Sequence, residues 1–151
     1  MSYEDAIKGN KGDAYRASKK FAEQAAWKFV EEEKPSFDLV AINQPMIFGP
    51  FLPERMTIKD LNESNARIYN GYLKSSKDGE LPHNALTVCV DVQDMATAHR
   101  LAIEKPDADG KRFIVSAREI SAQKICDLLR SSFPELEERT PFGKPGTSDI
   151  P

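Results

Sequence analysis

Apolar residues recur at three- and four-residue spacing through Phe21, Ala22, Ala25, Ala26, Phe29 and Val30, the period of a helix with one buried face. Asp13 stands at its start as a cap, and the solvated run Glu31-Glu32-Glu33-Lys34 closes it before Pro35. The pattern predicts a helix over residues 13–33, preceded by a polar, Gly/Asn/Lys-rich loop over 1–12. Phe37-Asp38-Leu39-Val40-Ala41-Ile42-Asn43 then reads as a short buried strand of the parallel kind. Pro45, Pro50, Pro53 and Gly49 make residues 44–54 an irregular loop. A helix is expected from about Ile58 to Ser75, and a Gly/Pro loop over 77–84.

The second half alternates in the same way. Leu86-Thr87-Val88-Cys89-Val90 is a second strand, and Asp91 caps a helix over 92–104 that turns Met95, Ala98, Leu101 and Ala102 inward. Lys111 to Ser116 forms a third strand. Ser121 caps a helix with Ile125, Leu128, Leu129 and Phe133 on one face, and the Pro/Gly-rich tail from Pro134 is expected to be poorly ordered. Helices alternating with short apolar strands predict an α/β fold.

Composition narrows the class. The chain has 151 residues, 40% hydrophobic and 30% charged, which suits one globular unit able to bury about 70% of its unfolded surface. A net charge of −3 without a basic stripe argues against nucleic acid as a partner. No apolar run approaches the ~20 residues of a membrane span, and Met1-Ser2-Tyr3-Glu4-Asp5 lacks the regions of a signal peptide. Cys89 and Cys126 read as free thiols in a reducing compartment, so the cytoplasm is expected and the acceptor pattern Asn62-Glu63-Ser64 is void. Two His and two Cys at these spacings make no zinc site, and no metal is expected.

The candidate chemistry lies in Tyr15 and Lys19, four residues apart and so on one helix face. A phenol ordinarily titrates near pH ~10, and an ammonium held beside it favours the phenolate. Such a pair is a general acid for a carbonyl oxygen at which hydride is arriving. Taken alone, Tyr-x-x-x-Lys reads more readily as an aromatic core residue beside a solvated lysine, since lysine is common. The downstream context changes that balance.

Three segments follow in register: Tyr15-Arg16-Ala17-Ser18-Lys19-Lys20-Phe21-Ala22-Glu23, Asn43-Gln44-Pro45-Met46-Ile47-Phe48-Gly49-Pro50 and Asp91-Val92-Gln93-Asp94-Met95-Ala96-Thr97-Ala98-His99. Phe113-Ile114-Val115-Ser116 and Phe142-Gly143-Lys144-Pro145-Gly146 fit the same series. It resembles the C-terminal part of an extended short-chain dehydrogenase/reductase, and more narrowly the fungal NADPH-dependent methylglyoxal and ketone reductases, relatives of plant dihydroflavonol 4-reductases.

The resemblance implies an incomplete NAD(P)-binding Rossmann-type fold. Its parts would be the active-site helix over 13–33, the nicotinamide-side strand and loop over 37–56, and substrate-domain elements over 57–151. NADPH would be the cofactor and a small aldehyde or ketone the substrate. Tyr15 would donate the proton, and Lys19 would ease its loss and hydrogen-bond the nicotinamide ribose. Pro45 would lie along the nicotinamide ring, and Ser64 would contact the cofactor phosphates or else stand as an ordinary helix serine. Gln44 replaces a proline usual in the family, and Pro45 has no N–H to offer a carboxamide. Asp91, Asp94 and His99 are read as structural, the first as a cap and the last packed near the sheet, while His83 is read as solvated.

No set of the eight glycines forms a Gly-rich turn between a strand and a helix, where a dinucleotide fingerprint would sit. The expected polypeptide is therefore truncated and inactive alone, with a separately supplied N-terminal half or self-association as its partner. Two alternatives stand beside the reductase: a nucleotide-sugar epimerase or dehydratase of the same superfamily, and a non-catalytic remnant that folds only with a partner half.

Overall fold

The computed structural model describes residues 11–50, 57–83 and 88–147, together with residues 4, 8 and 9. It divides into two compact units, Met1–Ile42 with Ala102–Phe113, and Asn43–Leu101 with Ile114–Pro151. None of the described helices is long and apolar enough to cross a membrane.

The first unit is dominated by helix α1, Lys11–Glu33. It begins two residues before Asp13, which lies in the first turn, where its charge favours the helix, and is not the cap. Glu4 and Lys8 are also helical, so the expected loop over 1–12 is wrong at those positions. The periodic stripe is real but mostly uncovered. Ala17 is buried and Phe21 and Val30 are half-buried, whereas Ala22, Ala25 and Ala26 are exposed and Phe29 keeps 50% of its surface. Periodicity marks a face able to be buried; an opposing layer must still cover it, and this unit's other described elements are short.

Strand β1 (Ala41–Asn43) is shorter than the predicted Phe37–Asn43, and Phe37 is exposed. Its partner is β4, Arg112–Ile114. The bonds Gly110 N to Leu39 O (3.1 Å), Ala41 N to Lys111 O (3.0 Å) and Val115 N to Asn43 O (3.0 Å) climb both segments together, as in a parallel pair.

In the second unit, Met46–Phe48 forms strand β2 inside the segment expected to be irregular. Pro45 and Pro50 bracket three β-favouring apolar residues, which pair parallel with β3 (Val88–Asp91) in the register Met46↔Cys89, Ile47↔Val90 and Phe48↔Asp91. Strand β5, Arg118–Glu119, runs antiparallel on the other edge of β3. The predicted start of the β3 strand at Leu86, and residues 51–56 of the long loop, lie outside the described residues. Asp91 caps as expected: its Oδ1 accepts from Gln93 N at 2.7 Å at the start of the 92–104 helix. Gly49 follows β2 at φ +130°, and a Cβ there would lie 2.8 Å from Val92 Cγ1 and 2.9 Å from Asp91 Oδ2.

The helix expected over Ile58–Ser75 is broken into a 3-10 turn (Ile58–Asp60), helix α2 (Glu63–Ile68) and a wider π turn (Tyr69–Leu73). One capping residue opens the run and a second interrupts it. Thr57 Oγ1 accepts from Lys59 N at 3.3 Å, and Asn62 Oδ1 from Asn65 N at 3.0 Å, each starting a helix afresh. The thirteen residues Val92–Glu104 form α3, with Met95 buried and Leu101 keeping 37% of its surface open. Helix α4 spans Ala122–Ser132 behind the predicted Ser121 cap, whose Oγ accepts from Lys124 N at 3.0 Å.

The buried face of α4 corrects the sequence reading. Leu128 and Phe133 are exposed, and Ala122, Gln123 and Cys126 are sealed, with Tyr72 against them. Gln123 is tolerated there because its amide is satisfied. Nε2 donates to Asp127 Oδ1 at 2.8 Å and to Phe142 O at 3.0 Å, and Oε1 accepts from Lys144 N at 2.7 Å. These bonds order the tail that was expected to be loose: Pro134–Arg139 is a 3-10 segment, and Thr140 and Pro141 are fully buried. Arg130 stacks on the Phe142 ring at 4.3 Å from its centroid, and Arg139 Nε donates to Leu73 O at 3.0 Å.

Replacing Gln123 with Leu strands the Phe142 carbonyl and the Lys144 amide, and is expected to cost about 2–3 kcal/mol in urea unfolding. Limited chymotrypsin digestion should then cut after Phe142 sooner. Gly49→Ala meets both a left-handed φ and side-chain overlap, and the same unfolding measurement should show a loss of about 1–3 kcal/mol.

Candidate active site

Helical pitch brings Tyr15 and Lys19 together on α1, as the spacing requires. The Lys19 ammonium lies 5.4 Å from the centroid of the Tyr15 ring, and the tyrosine keeps 63% of its surface open. Ser18 Oγ donates to the Tyr15 carbonyl at 2.7 Å, within the helix itself. Asp13 and Arg16 pair at 3.7 Å one turn earlier. One turn beyond Lys19, Glu23 Oε1 accepts from Arg112 Nε of β4 at 2.7 Å and from Trp27 Nε1 at 3.4 Å. Sequence reasoning missed the Arg112 contact, although Glu23 closes the first matching segment and stands four residues after Lys19.

Pro45 and Ser64 belong to the second unit. Pro45 is half-buried just before β2, and Ser64 is half-buried in the first turn of α2, which packs against β2. Among the described residues of this unit are two sizeable cavities. One of about 400 Å³ is rimmed by Met46, Phe48, Glu63, Arg67, Tyr72 and His83, with Arg67 Nε held by Glu63 Oε1 at 3.0 Å. The other, about 500 Å³, is walled chiefly by Phe48, Ile58, Leu61, Ile68, Leu128 and Leu129. Met46 and Glu63, next in sequence to Pro45 and Ser64, line the first cavity. Phe48 lines both; the sequence placed it in the matching segment Asn43–Pro50 without giving it a role.

His83 is exposed as expected, but His99 does not pack on a sheet. It is exposed on α3, and its Nδ1 donates to Met95 O at 2.8 Å within its own helix. Asp94 lies exposed in the first turn of α3. Among the described residues no group of three or more His, Cys, Asp or Glu side chains could hold a metal ion.

Local charge and burial tune three groups in the second unit. Hydrogen bonds from the Thr57 hydroxyl and backbone N–H hold the Asp60 carboxyl below its usual value. Hydrogen bonds and ion pairing with Glu138 and Glu137 raise Lys77. Burial raises Cys89, against a smaller opposing pull from Arg118.

No protein-family model matches the chain. Over 138 residues it is 46% identical to the ketoreductase azaE of Aspergillus niger, covering 91% of this chain and 39% of that protein. Over 137 residues it is 39% identical to the NADPH-dependent methylglyoxal reductase GRE2 of Saccharomyces cerevisiae, covering 89% of this chain and 40% of that protein. Its fold superposes on the yeast methylglyoxal/isovaleraldehyde reductase Gre2 complexed with NADPH with a TM-score of 0.81 and 33% identity, over 97% of this chain and 43% of that one. Over nearly all of its length the chain is therefore similar, in sequence and in fold, to fungal methylglyoxal and ketone reductases. It spans about two fifths of the length of the curated relatives it matches, 39% of one and 40% of the other. The described strands and helices accordingly form part of the reductases' Rossmann-type fold.

The residues present suit the nicotinamide end of a dinucleotide: an open phenol and an adjacent ammonium able to bond a ribose hydroxyl. Among the described residues no glycine-rich turn supplies a pyrophosphate cradle. Gly49, Gly110, Gly143 and Gly146 take positive φ, and none of them opens a helix directly after a strand.

The raised Cys89 and the fully buried Cys126 both hold their thiols neutral or hidden. A disulfide reagent at pH 7–8 should therefore react at least about tenfold more slowly with the folded chain than with the chain in denaturant. Equal rates would show that both thiols are open.

Proposed function

We propose that the chain carries the proton-donating helix of an NADPH-dependent reductase acting on methylglyoxal and related aldehydes and ketones. One observation carries the reading: Tyr15 and Lys19 share an open face of α1 in a chain similar to such reductases. NADPH supplies the hydride that reaches the carbonyl carbon. The Tyr15 hydroxyl donates its proton to the carbonyl oxygen, which becomes the alcohol. Lys19 stabilises the negative charge left on the phenol oxygen and bonds the ribose. Pro45 and Ser64 are assigned to cofactor contact on the nicotinamide and phosphate sides respectively.

Among the described residues no Gly-rich turn between a strand and a helix cradles the pyrophosphate, so the chain by itself is expected to show no NADPH oxidation with methylglyoxal above background. The decisive protein is a chimera in which this chain replaces the matching segment of the Aspergillus niger ketoreductase. It should oxidise NADPH in the presence of methylglyoxal. In it Tyr15→Phe should lower kcat by about 100-fold or more while NADPH affinity stays within about threefold. Full turnover by that variant would sink the assignment. Parallel loss of turnover and NADPH affinity would make Tyr15 a structural residue instead.

A further inference from the structure

Side chains on a helix lean toward its N-terminus, so Lys19 reaches back over Tyr15 and Glu23 would by default reach back over Lys19. A carboxylate at that spacing pairs with the ammonium and competes for its charge. Glu23 is not so placed. Its side chain keeps only 21% of its surface open and is turned to Arg112, with Nε 2.7 Å from Oε1. The Trp27 indole N–H shares the same oxygen at 3.4 Å. The Lys19 ammonium meanwhile stands against the Tyr15 ring. All five residues belong to one compact unit.

We propose that Arg112 is a positioning residue that draws the Glu23 carboxylate away from Lys19 and so reserves the ammonium for Tyr15. The inference rests on the reading of Tyr15 and Lys19 given above, and gives β4 a role in the chemistry of α1. Arg112 acts through Glu23 and touches no reacting atom. A bidentate-capable guanidinium outcompetes a lysine for one carboxylate because its planar fork is preorganised and more weakly hydrated. The order Lys19 then Glu23 is also the weaker sense for a helical ion pair, which makes the diversion cheap.

The test separates diversion from simple tethering. Arg112→Met removes the tether and frees the carboxylate; Arg112→Met with Glu23→Gln removes the tether and the carboxylate charge together. Nitrogen-15 NMR of the lysine ammonium groups in the full chain reads the pairing directly, without cofactor or turnover. The Lys19 Nζ signal, assigned by its loss in Lys19→Arg, should shift in Arg112→Met and return to its starting position in the double variant. Arg112→Lys, which keeps a cation on Glu23 but lacks the planar fork, should shift it less than Arg112→Met does and serves as the check should Arg112→Met unfold. In the chimeric reductase, kcat should fall about two- to threefold in Arg112→Met and recover in the double variant, with KM little changed. An unmoved Lys19 signal in Arg112→Met would overturn the proposal, as would an equal shift in the single and double variants. An inactive chimera alongside the expected NMR pattern would count against the catalytic reading of Tyr15 and leave the diversion standing.

Discussion

Along α1, Tyr15, Lys19, Glu23 and Trp27 stand on one ridge because each step of four residues nearly closes a helical turn. A phenol, a cation, an anion and an indole are thereby stacked within reach of one another. What each does is decided by which neighbour claims it. Lys19 is turned to the Tyr15 ring, while Glu23 is turned out of the ridge to Arg112 on β4. The pitch sets the spacing; the strand sets the direction in which the carboxylate points. Surface ion pairs contribute little to stability, typically about 0–1 kcal/mol, so this one matters more for where it sends a charge than for holding the helix down.

The second unit is organised around a buried polar residue that the sequence reading had not singled out. Gln123 is sealed, yet its amide satisfies the carbonyl of Phe142 and the N–H of Lys144, groups that would otherwise carry a desolvation penalty. The price of that arrangement is paid on the other face of α4, where Leu128 and Phe133 stay open. The neighbouring carboxylate extends the ordering of the tail, since Asp127, held by the Gln123 amide, accepts from Gly146 N through Oδ2 at 3.0 Å. Ile125, Leu129 and Phe48 then form continuous walls of the apolar cavity with the broken helical run over Ile58–Leu73.

Departures from the sequence reading share a cause. Local patterns report what a segment can do, and burial depends on what faces it. Phe29 lies on a correct helical stripe and is half-open because the described elements of its unit do not cover it. Met46-Ile47-Phe48 was masked by its prolines, but a strand needs only a partner with free hydrogen-bonding groups, and β3 supplies one. The helix expected over Ile58–Ser75 ignored a strong cap within it, Asn62, whose local bond restarts the helix after the short turn that Thr57 opens.

By itself the sequence determined the elements whose signals are local: α1 from its periodicity, α3 and α4 from Asp91 and Ser121 at their starts, and the shared face of Tyr15 and Lys19 from a four-residue step. It also carried the family resemblance, because ordered motifs survive in one dimension. Tertiary structure alone decided which faces are sealed, why Gln123 and not Leu128 lies inside, and that Glu23 answers to Arg112, 89 residues further along the chain. Those outcomes depend on segments distant in sequence meeting at hydrogen-bonding range, and no local spacing encodes such a meeting.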